Sequence, residues 1–429
     1  MTRIKTYRTF AVALLALIAA AATTPAYAQT FSVLYNFATR SGDANMVGGA
    51  FVAQGRDGSL YSTSYAGGAG DSGSVFKITP AGKEMVLYSF CSQTNCSDGN
   101  SPLGGLTLRP DGHFVGTTVY NGVGFANGAG TIFDITQTGS LTTLYTFAGG
   151  SDGAFPMAAP IVGPDGSFYG TAQNGGNKSN CGTIYKLTGS TFAVVHNFDK
   201  LHGCNPLAAL VLGADGNLYG TTPQGGTANA GVAFQLQVPT GKAPVFTVLA
   251  NFEASNPVPF DALVEGNDGN FYGVALSAGV SHEGTLFQVT PAGSFSVVYD
   301  FDGTTGTSPF ATPVQHTNGP LYGDTLYGGT GSACSGDSGC GVFYSWDAGL
   351  PAFVRTVPFL APVGTFVEIL GQGFDSSTTV SFNGTPATAT VVSGTYLNAT
   401  VPAGATTGFV TVTTSSGTLT SNKQFVVTP

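Results

Sequence analysis

A short phrase recurs six times along this 429-residue chain and constrains its fold more than any other feature. Each copy is an Asp-Gly or Asn-Gly pair followed by an aromatic-rich run that usually ends in Gly-Thr. The copies are DGSLYSTS from Asp57, DGHFVGTT from Asp111, DGSFYGTA from Asp165, DGNLYGTT from Asp215, DGNFYGVA from Asp268 and NGPLYGDT from Asn318. Successive copies lie 54, 54, 50, 53 and 50 residues apart. Self-similarity at this period is typical of propellers, solenoids and other repeat architectures.

One repeat has the length and the turn pattern of four antiparallel strands. In the fourth repeat, the apolar stretch 206–216 predicts a strand that ends in an Asp-Gly turn, which is a strong hairpin signal. Three more strands are predicted at 217–222, 231–238 and 246–252. Four strands in about fifty residues is the size of a propeller blade.

The last repeat lacks a fourth strand of its own, and the N-terminal segment supplies a spare one. SVLYNF at residues 32–37 has the pattern of the fourth strands VLYSF at 86–90 and TLYTF at 143–147. If this segment pairs with the last repeat, the array closes without an exposed sheet edge. The sequence therefore predicts a six-bladed β-propeller over residues 29–350, closed by an N-terminal strand.

Residues 1–28 have the pattern of a secretory signal peptide. Three basic residues precede an apolar stretch at 10–22, and Ala26-Tyr27-Ala28 fits a cleavage site. The stretch is too short for a membrane span, so no span is expected after cleavage. We expect a protein that is secreted, extracellular or attached to the cell surface, with the periplasm as an open alternative.

The charge balance excludes one class of partner. Without the predicted signal peptide the chain has 11 basic and 23 acidic residues, a net charge of −12. Nucleic-acid binding depends on Lys and Arg that neutralise phosphates, so no nucleic-acid partner is expected.

All six cysteines lie in the predicted exported part, where an even number favours disulfides. The spacing favours three pairs: Cys91 with Cys96, Cys181 with Cys204, and Cys334 with Cys340. Fifteen pairings of six cysteines are formally possible. No CxxC spacing is present, so neither a redox motif nor a zinc site is predicted.

From about Pro351 the repeat is lost, and short alternating strands predict a small β-sandwich over residues 351–429. GQGF from Gly371, VSFNG from Val380 and VPAGA from Val401 closely resemble an IPT/TIG domain, an immunoglobulin-like module. The LYGTT and VFKIT phrases of the repeats resemble the GloVer tandem repeats of exported bacterial proteins. The IPT/TIG resemblance implies extracellular stalks, adhesion and binding. Neither resemblance brings a catalytic residue or a cofactor.

Catalytic motifs are absent from the sequence, and no cofactor or metal is predicted. The five histidines show no HExxH spacing, and there is no GxSxG elbow, P-loop or dinucleotide fingerprint. Asp261 and Glu265 replace small or apolar residues in a first strand, where a four-residue spacing puts them on one face. If both face the predicted channel, the pair of carboxylates is a candidate for cation binding or for acid/base chemistry. The alternative is a water-filled channel in which acidic side chains are tolerated without a chemical role.

Three hypotheses about function follow. The first is a non-catalytic exported or cell-surface binding or adhesion protein, whose long second-to-third-strand loops present a site for a glycan or a surface protein. The second is a propeller enzyme, a lyase, lactonase or glycoside hydrolase, with its site in the central channel. The third is a structural component of the envelope or matrix. The oligomeric state stays open.

Overall fold

The computed structural model describes residues 29–40, 42–45, 52–121, 128–239, 242–252, 263–331 and 339–429. Within these ranges the chain is all-β, apart from a short 3-10 helix at Thr94–Cys96. The predicted signal peptide at 1–28, Asp261 and Cys334 lie outside the described residues.

The described part of the repeat region contains six four-stranded antiparallel sheets, numbered I to VI in chain order. Sheet I contains Ala53–Gln54, Leu60–Ser64, Ser74–Ile78 and Glu84–Ser89. Sheet II contains Leu106–Leu108, Phe114–Thr118, Thr131–Ile135 and Leu141–Thr146. Sheet III contains Ile161–Val162, Phe168–Ala172, Thr183–Thr188 and Thr191–Asn197.

The strands of each sheet are called first to fourth in the order given. Sheet IV contains Val211–Leu212, Leu218–Thr222, Val232–Gln237 and Val245–Asn251. Sheet V contains Val264–Glu265, Phe271–Ala275, Thr285–Val289 and Phe295–Asp300. Sheet VI contains Val314–Gln315, Leu321–Asp324, Val342–Asp347 and Thr30–Asn36. A small ladder joins Ala44–Asn45 to Ala66–Gly67.

Sheet VI is built from both ends of the repeat region. Thr30–Asn36 pairs antiparallel with Val342–Asp347, so the N-terminal segment is its fourth strand. Phe31 stacks on Tyr299 of sheet V, with ring centroids 3.6 Å apart. The hydrophobic side chains of this strand, such as Phe31 and Val33, are therefore partly buried between sheets V and VI.

Sheet VI also packs against sheet I. Leu60 and Phe76 of sheet I share one buried cluster with Tyr322 and Phe343 of sheet VI. Similar clusters join sheet I to II, II to III, III to IV, and V to VI. The aromatic residues of the repeated phrase therefore form much of the packing between neighbouring sheets.

The first strands are shorter than predicted. The sequence predicts a strand over 206–216, whereas only Val211–Leu212 is paired as a strand there. The preceding segments bond to the neighbouring repeat instead: the Ala159 amide donates to the Gly104 carbonyl at 2.9 Å. A Cβ on Gly104 would lie 2.6 Å from the Ala158 backbone. The small residues at these positions thus allow a close approach that replaces pairing within the sheet.

The C-terminal module is a two-sheet sandwich. One sheet contains Arg355–Val357, Phe366–Leu370, Tyr396–Thr400 and Ala389–Ser393. The other contains Thr385–Ala387, Thr379–Phe382, Val410–Thr414 and Gly417–Thr420, and a parallel pair joins Leu360–Pro362 to Val426–Thr428. Val367, Leu397, Phe382 and Val412 lie in its buried core.

Candidate ligand-binding site

The Asp-Gly turns between first and second strands are held by their own side chains. Asp165 Oδ1 accepts a hydrogen bond from the Ser167 amide at 3.1 Å, and Oδ2 accepts one from the Tyr169 hydroxyl at 3.1 Å. Gly166 has a φ of 75°, which glycine adopts readily. The same amide and hydroxyl bonds recur at Asp57, Asp215 and Asp268. The recurring Asp and Tyr of the phrase are therefore explained by local structure.

These turns form one rim of the repeat region, here called the Asp-Gly rim, and the C-terminal module covers part of it. Arg56, in the turn of sheet I, forms an ion pair with the buried Glu368 of the module. The Thr395 hydroxyl donates to the Arg56 carbonyl at 2.7 Å. At sheet V, Asn267 Nδ2 donates to the Pro351 carbonyl at 2.7 Å. Contacts of this kind fix the module against the turns of at least two sheets.

The first strands of all six sheets line one cavity of about 420 Å³, here called the central cavity. The strand residues that line it are Ala53, Gln54, Leu106, Thr107, Leu108, Ile161, Val211, Val264, Glu265 and Val314. Its wall at the Asp-Gly rim comes from the C-terminal module, including Arg355, Phe359 and Lys423. The module therefore forms part of the wall of this cavity.

Glu265 lines the central cavity, and its predicted partner Asp261 lies outside the described residues. Of the described residues that line the cavity, Glu265 is the one carboxylate. It lies close enough to Lys423 for its charge to raise the pKa of that amine, although burial has the larger effect and lowers it. The residues described also contain no group of three or more His, Cys, Asp and Glu able to hold a metal ion.

The opposite rim carries the loops between second and third strands and the connections between sheets, and is here called the long-loop rim. Five partly exposed side chains form an arc along it: Tyr65, Tyr120, Phe155, Asn174 and Asn205. Tyr120 and Phe155 meet edge to face, with centroids 5.5 Å apart. Asn205 Nδ2 donates to Asn174 Oδ1 at 2.9 Å. The arc combines aromatic surfaces with amide donors and acceptors.

Two members of this arc are held in an unusual backbone conformation. Phe155 has a φ of 58° and Asn205 a φ of 56°, in the left-handed region that non-glycine residues rarely adopt. Each precedes a proline at the start of a repeat, and each amide donates to a carbonyl of the preceding repeat, of Ala129 at 2.9 Å and of Cys181 at 2.8 Å. Ser101 and Ser308 adopt the same conformation before Pro102 and Pro309, so this conformation belongs to the connections between repeats and fixes the direction of the side chain it carries.

Disulfides hold the loops beside the arc. The structure contains the pairs Cys181–Cys204 and Cys91–Cys96, two of the pairs that the spacing favours. Cys204 directly precedes Asn205 in the segment between sheets III and IV. Its disulfide with Cys181 ties that segment to the long loop of sheet III. Cys340 is also disulfide-bonded, and Cys334, its expected partner, lies outside the described residues.

The sequence predicted a site in the long second-to-third-strand loops, one of which contains Asn174, and it did not single out Tyr120, Phe155 or Asn205. No catalytic motif or spacing singles them out. The available signal was the recurring proline at the start of the repeats, which marks the preceding residue as part of a connection on the long-loop rim.

The repeat organisation and the C-terminal sandwich define an all-β tandem-repeat protein with an immunoglobulin-like domain. A profile of the Gloeobacter/Verrucomicrobia repeat matches residues 22–162 and 124–336, and a profile of the IPT/TIG domain matches residues 351–427. The chain belongs to the Gloeobacter/Verrucomicrobia repeat family and ends in an IPT/TIG domain. Both resemblances drawn from the sequence phrases are confirmed.

Solved structures similar to this chain have low sequence identity. A luciferin-regenerating enzyme is 11% identical with a TM-score of 0.45, over 76% of this chain and 97% of that one. Virginiamycin B lyase from Staphylococcus aureus is 17% identical with a TM-score of 0.39, over 69% and 81%. A fungal alcohol oxidase of the AA5 family, in complex with copper, is 14% identical with a TM-score of 0.43, over 93% and 99%. No curated protein matches the chain.

No helix in the described part of the chain has the length and hydropathy of a membrane span.

Proposed function

We propose that this protein is an exported or cell-surface binding protein whose long-loop rim holds a glycan, and that it catalyses no reaction. The scaffold of the proposal is a closed six-bladed propeller, with sheets I to VI as its blades. The observation that carries the proposal is the arc of aromatic and amide side chains on the rim opposite the one that the C-terminal module contacts.

Contacts between the first and last repeats support the closed ring. His316 Nε2 bonds the Gly58 carbonyl at 2.9 Å, and Gln54 Nε2 donates to Thr317 Oγ1 at 2.7 Å. The convergence of six first strands on one cavity also favours a ring over an open array. Deletion of Thr30–Asn36 should lower the melting temperature sharply, because it exposes Val342–Asp347 as an unpaired edge. Unchanged melting would contradict the closed ring.

The chemistry of the arc suits a sugar. The faces of Tyr120 and Phe155 can stack on the C–H face of a sugar ring, which is apolar. The Asn174 and Asn205 amides offer both donors and acceptors, which sugar hydroxyl groups require. Because Asn205 is held by Asn174 and by its own backbone bonds, the amides are ordered before a ligand arrives, which lowers the entropic cost of binding.

A glycan array followed by calorimetry with the exported part of the chain tests this proposal. Phe155→Ala should weaken binding of the selected glycan about tenfold or more, since removal of a stacking ring costs more than about 1.4 kcal/mol. Phe295→Ala is the matched control, because Phe295 is 62% exposed on the fourth strand of sheet V, away from the rim. Absence of any glycan binding at millimolar concentration, or equal effects of the two variants, would refute the proposal. Binding of a surface protein instead would change the ligand class and keep the rim as the site.

Catalysis at the central cavity is the second candidate function, and Glu265 is the observation that favours it. If a substrate screen finds a lyase, lactonase or glycoside hydrolase activity, Glu265→Gln and Asp261→Asn should each reduce the turnover strongly. Full turnover in both variants would remove this candidate.

A further inference from the structure

We propose that the central cavity is a second binding site, which takes a small organic carboxylate with an apolar body. The anionic group would lie between the Arg355 guanidinium and the Lys423 amine, and the apolar body along the first strands. This site is separate from the long-loop rim and does not depend on the function proposed for that rim.

The cations come from the C-terminal module and face the cavity. Arg355 Nη2 donates to the Gln315 carbonyl at 2.8 Å, which orients the guanidinium at the end of the first strand of sheet VI. Lys423 lines the same cavity, and its side chain has no hydrogen-bond or ion-pair partner among the described residues. Within the described lining, two cations therefore face one carboxylate, that of Glu265.

The surroundings disfavour both charges when no anion is present. Burial lowers the pKa of Arg355 to about 10. Burial also lowers the pKa of Lys423, and the nearby charge of Arg355 lowers it further. Lys423 keeps accessible surface, but part of that surface faces the cavity, so it is only partly hydrated. A bound carboxylate would compensate for this lost hydration with charge-assisted hydrogen bonds.

The remaining walls explain why an apolar body is expected. Val211 is 51% exposed and Leu263 is 48% exposed, although both belong to the first-strand layer that lines the cavity. Accessible apolar surface inside a concave site is typical of ligand-binding cavities. The volume of about 420 Å³ falls in the range of small-molecule sites.

A second cavity adjoins the central cavity between the module and sheet V. This second cavity, of about 460 Å³, lies between the turn at Asn267 and the module. It shares Glu265 and Asn422 with the central cavity, so these two residues form the boundary between the two spaces.

The polar contacts of the module differ from this cation pair. Arg56 is paired with Glu368, and Asn267 with a carbonyl of the module, so these groups serve to hold the module in place. Lys423 has no such pairing in the described part of the chain, so its substitution removes no side-chain hydrogen bond or ion pair between the module and the repeats. It is therefore the position at which ligand binding and module docking can be separated.

Calorimetric titration of the full exported chain with hexanoate and benzoate tests the proposal, with hexanamide and benzamide as neutral partners of the same shape. The carboxylates should bind, and the amides should bind about tenfold more weakly or not at all, because they lack the charge-assisted bonds. Lys423→Met should reduce carboxylate affinity by about tenfold, and Lys83→Met, at an exposed third-to-fourth-strand turn, should leave it unchanged. Glu265→Gln should increase the affinity, because it removes the competing carboxylate.

Each outcome decides the proposal. Loss of carboxylate binding in Lys423→Met, with the melting temperature retained, supports it. Absence of heat for both carboxylates, equal binding of acids and amides, or unchanged binding in Lys423→Met overturns it. Phe155→Ala should leave carboxylate binding intact, which distinguishes failure of this site from failure of the long-loop rim.

Discussion

Glu84→Gln should stabilise the protein at alkaline pH and leave its stability unchanged in acid. Glu84 begins the fourth strand of sheet I, beside the segment that follows the N-terminal strand. Burial and, to a smaller extent, the nearby charge of Asp43 together raise the pKa of its carboxyl group to about 7, against a hydrogen bond from the Ala44 backbone that lowers it. Tyr35 of the N-terminal strand donates its hydroxyl to the same Asp43 at 2.8 Å. Glu84 therefore reports on the junction between sheets VI and I.

The direction of the pH dependence of stability follows from the raised pKa of Glu84. The folded protein binds the Glu84 proton more tightly than the unfolded chain does, so this contribution to stability is fully present below about pH 4.5. It is lost as the pH rises through about 7, where the carboxylate must be charged while buried. The difference between pKa values of 4.5 and about 7 corresponds to at most about 3 kcal/mol. Because the side chain is partly accessible, solvent screening should reduce this to roughly 1–2 kcal/mol.

Urea unfolding of the wild type and Glu84→Gln at several pH values between about 4 and 8 measures this difference. The two free energies of unfolding should agree at the acid end and diverge by roughly 1–2 kcal/mol in favour of the variant at the alkaline end. Glu283→Gln, at a partly exposed loop position before the third strand of sheet V, is the control and should show no divergence. Parallel curves for the wild type and Glu84→Gln would refute the reasoning.

The other predictions concern the turns, the module and the first-strand layer. Tyr272→Phe removes the hydroxyl that donates to Asp268 at 2.7 Å and should lower the free energy of unfolding by about 1 kcal/mol, measured in urea; no loss would contradict a structural role for the Asp-Tyr pair. Arg56→Met leaves the Glu368 carboxylate buried without its cation and should destabilise the contact between the module and sheet I by about 2 kcal/mol. Limited proteolysis should then cleave the junction with the module faster than in the wild type, and an unchanged rate would contradict this role of the ion pair. Gly104→Val introduces a side chain where a Cβ already lies too close to the next repeat, and a normal yield and melting temperature would disprove that crowding.

Local features of the fold were predictable because they depend on neighbours in the sequence. An Asp-Gly turn and the Tyr four residues after its Asp form one hydrogen-bonded unit. The local sequence of such a repeat is therefore sufficient to predict its hairpin. The pairing of the N-terminal strand was also predicted, since SVLYNF carries the fourth-strand pattern. The length of the first strands was predicted wrongly, because the small residues there bond to the next repeat, a contact between chain segments about fifty residues apart.

The functional site was less predictable because it, too, depends on contacts between segments far apart in the chain. Glu265 was singled out as a departure from the repeat, and it lines the central cavity, while a catalytic role for it stays a prediction. Its surroundings were not predictable, because Lys423 and Arg355 reach that cavity from the C-terminal module. The position of Phe155 and Asn205 in one arc likewise depends on how consecutive repeats meet.

The amino-acid sequence by itself determined the repeat, its turns, the all-β class and the IPT/TIG domain, because each of these is encoded in short-range patterns of apolar, turn and aromatic residues. Only the tertiary structure decided which rim the module contacts, which side chains converge on the cavity, and which residues stay exposed on the long-loop rim. Those outcomes depend on packing between segments far apart in the chain, and such packing follows from the shapes and charges of whole surfaces.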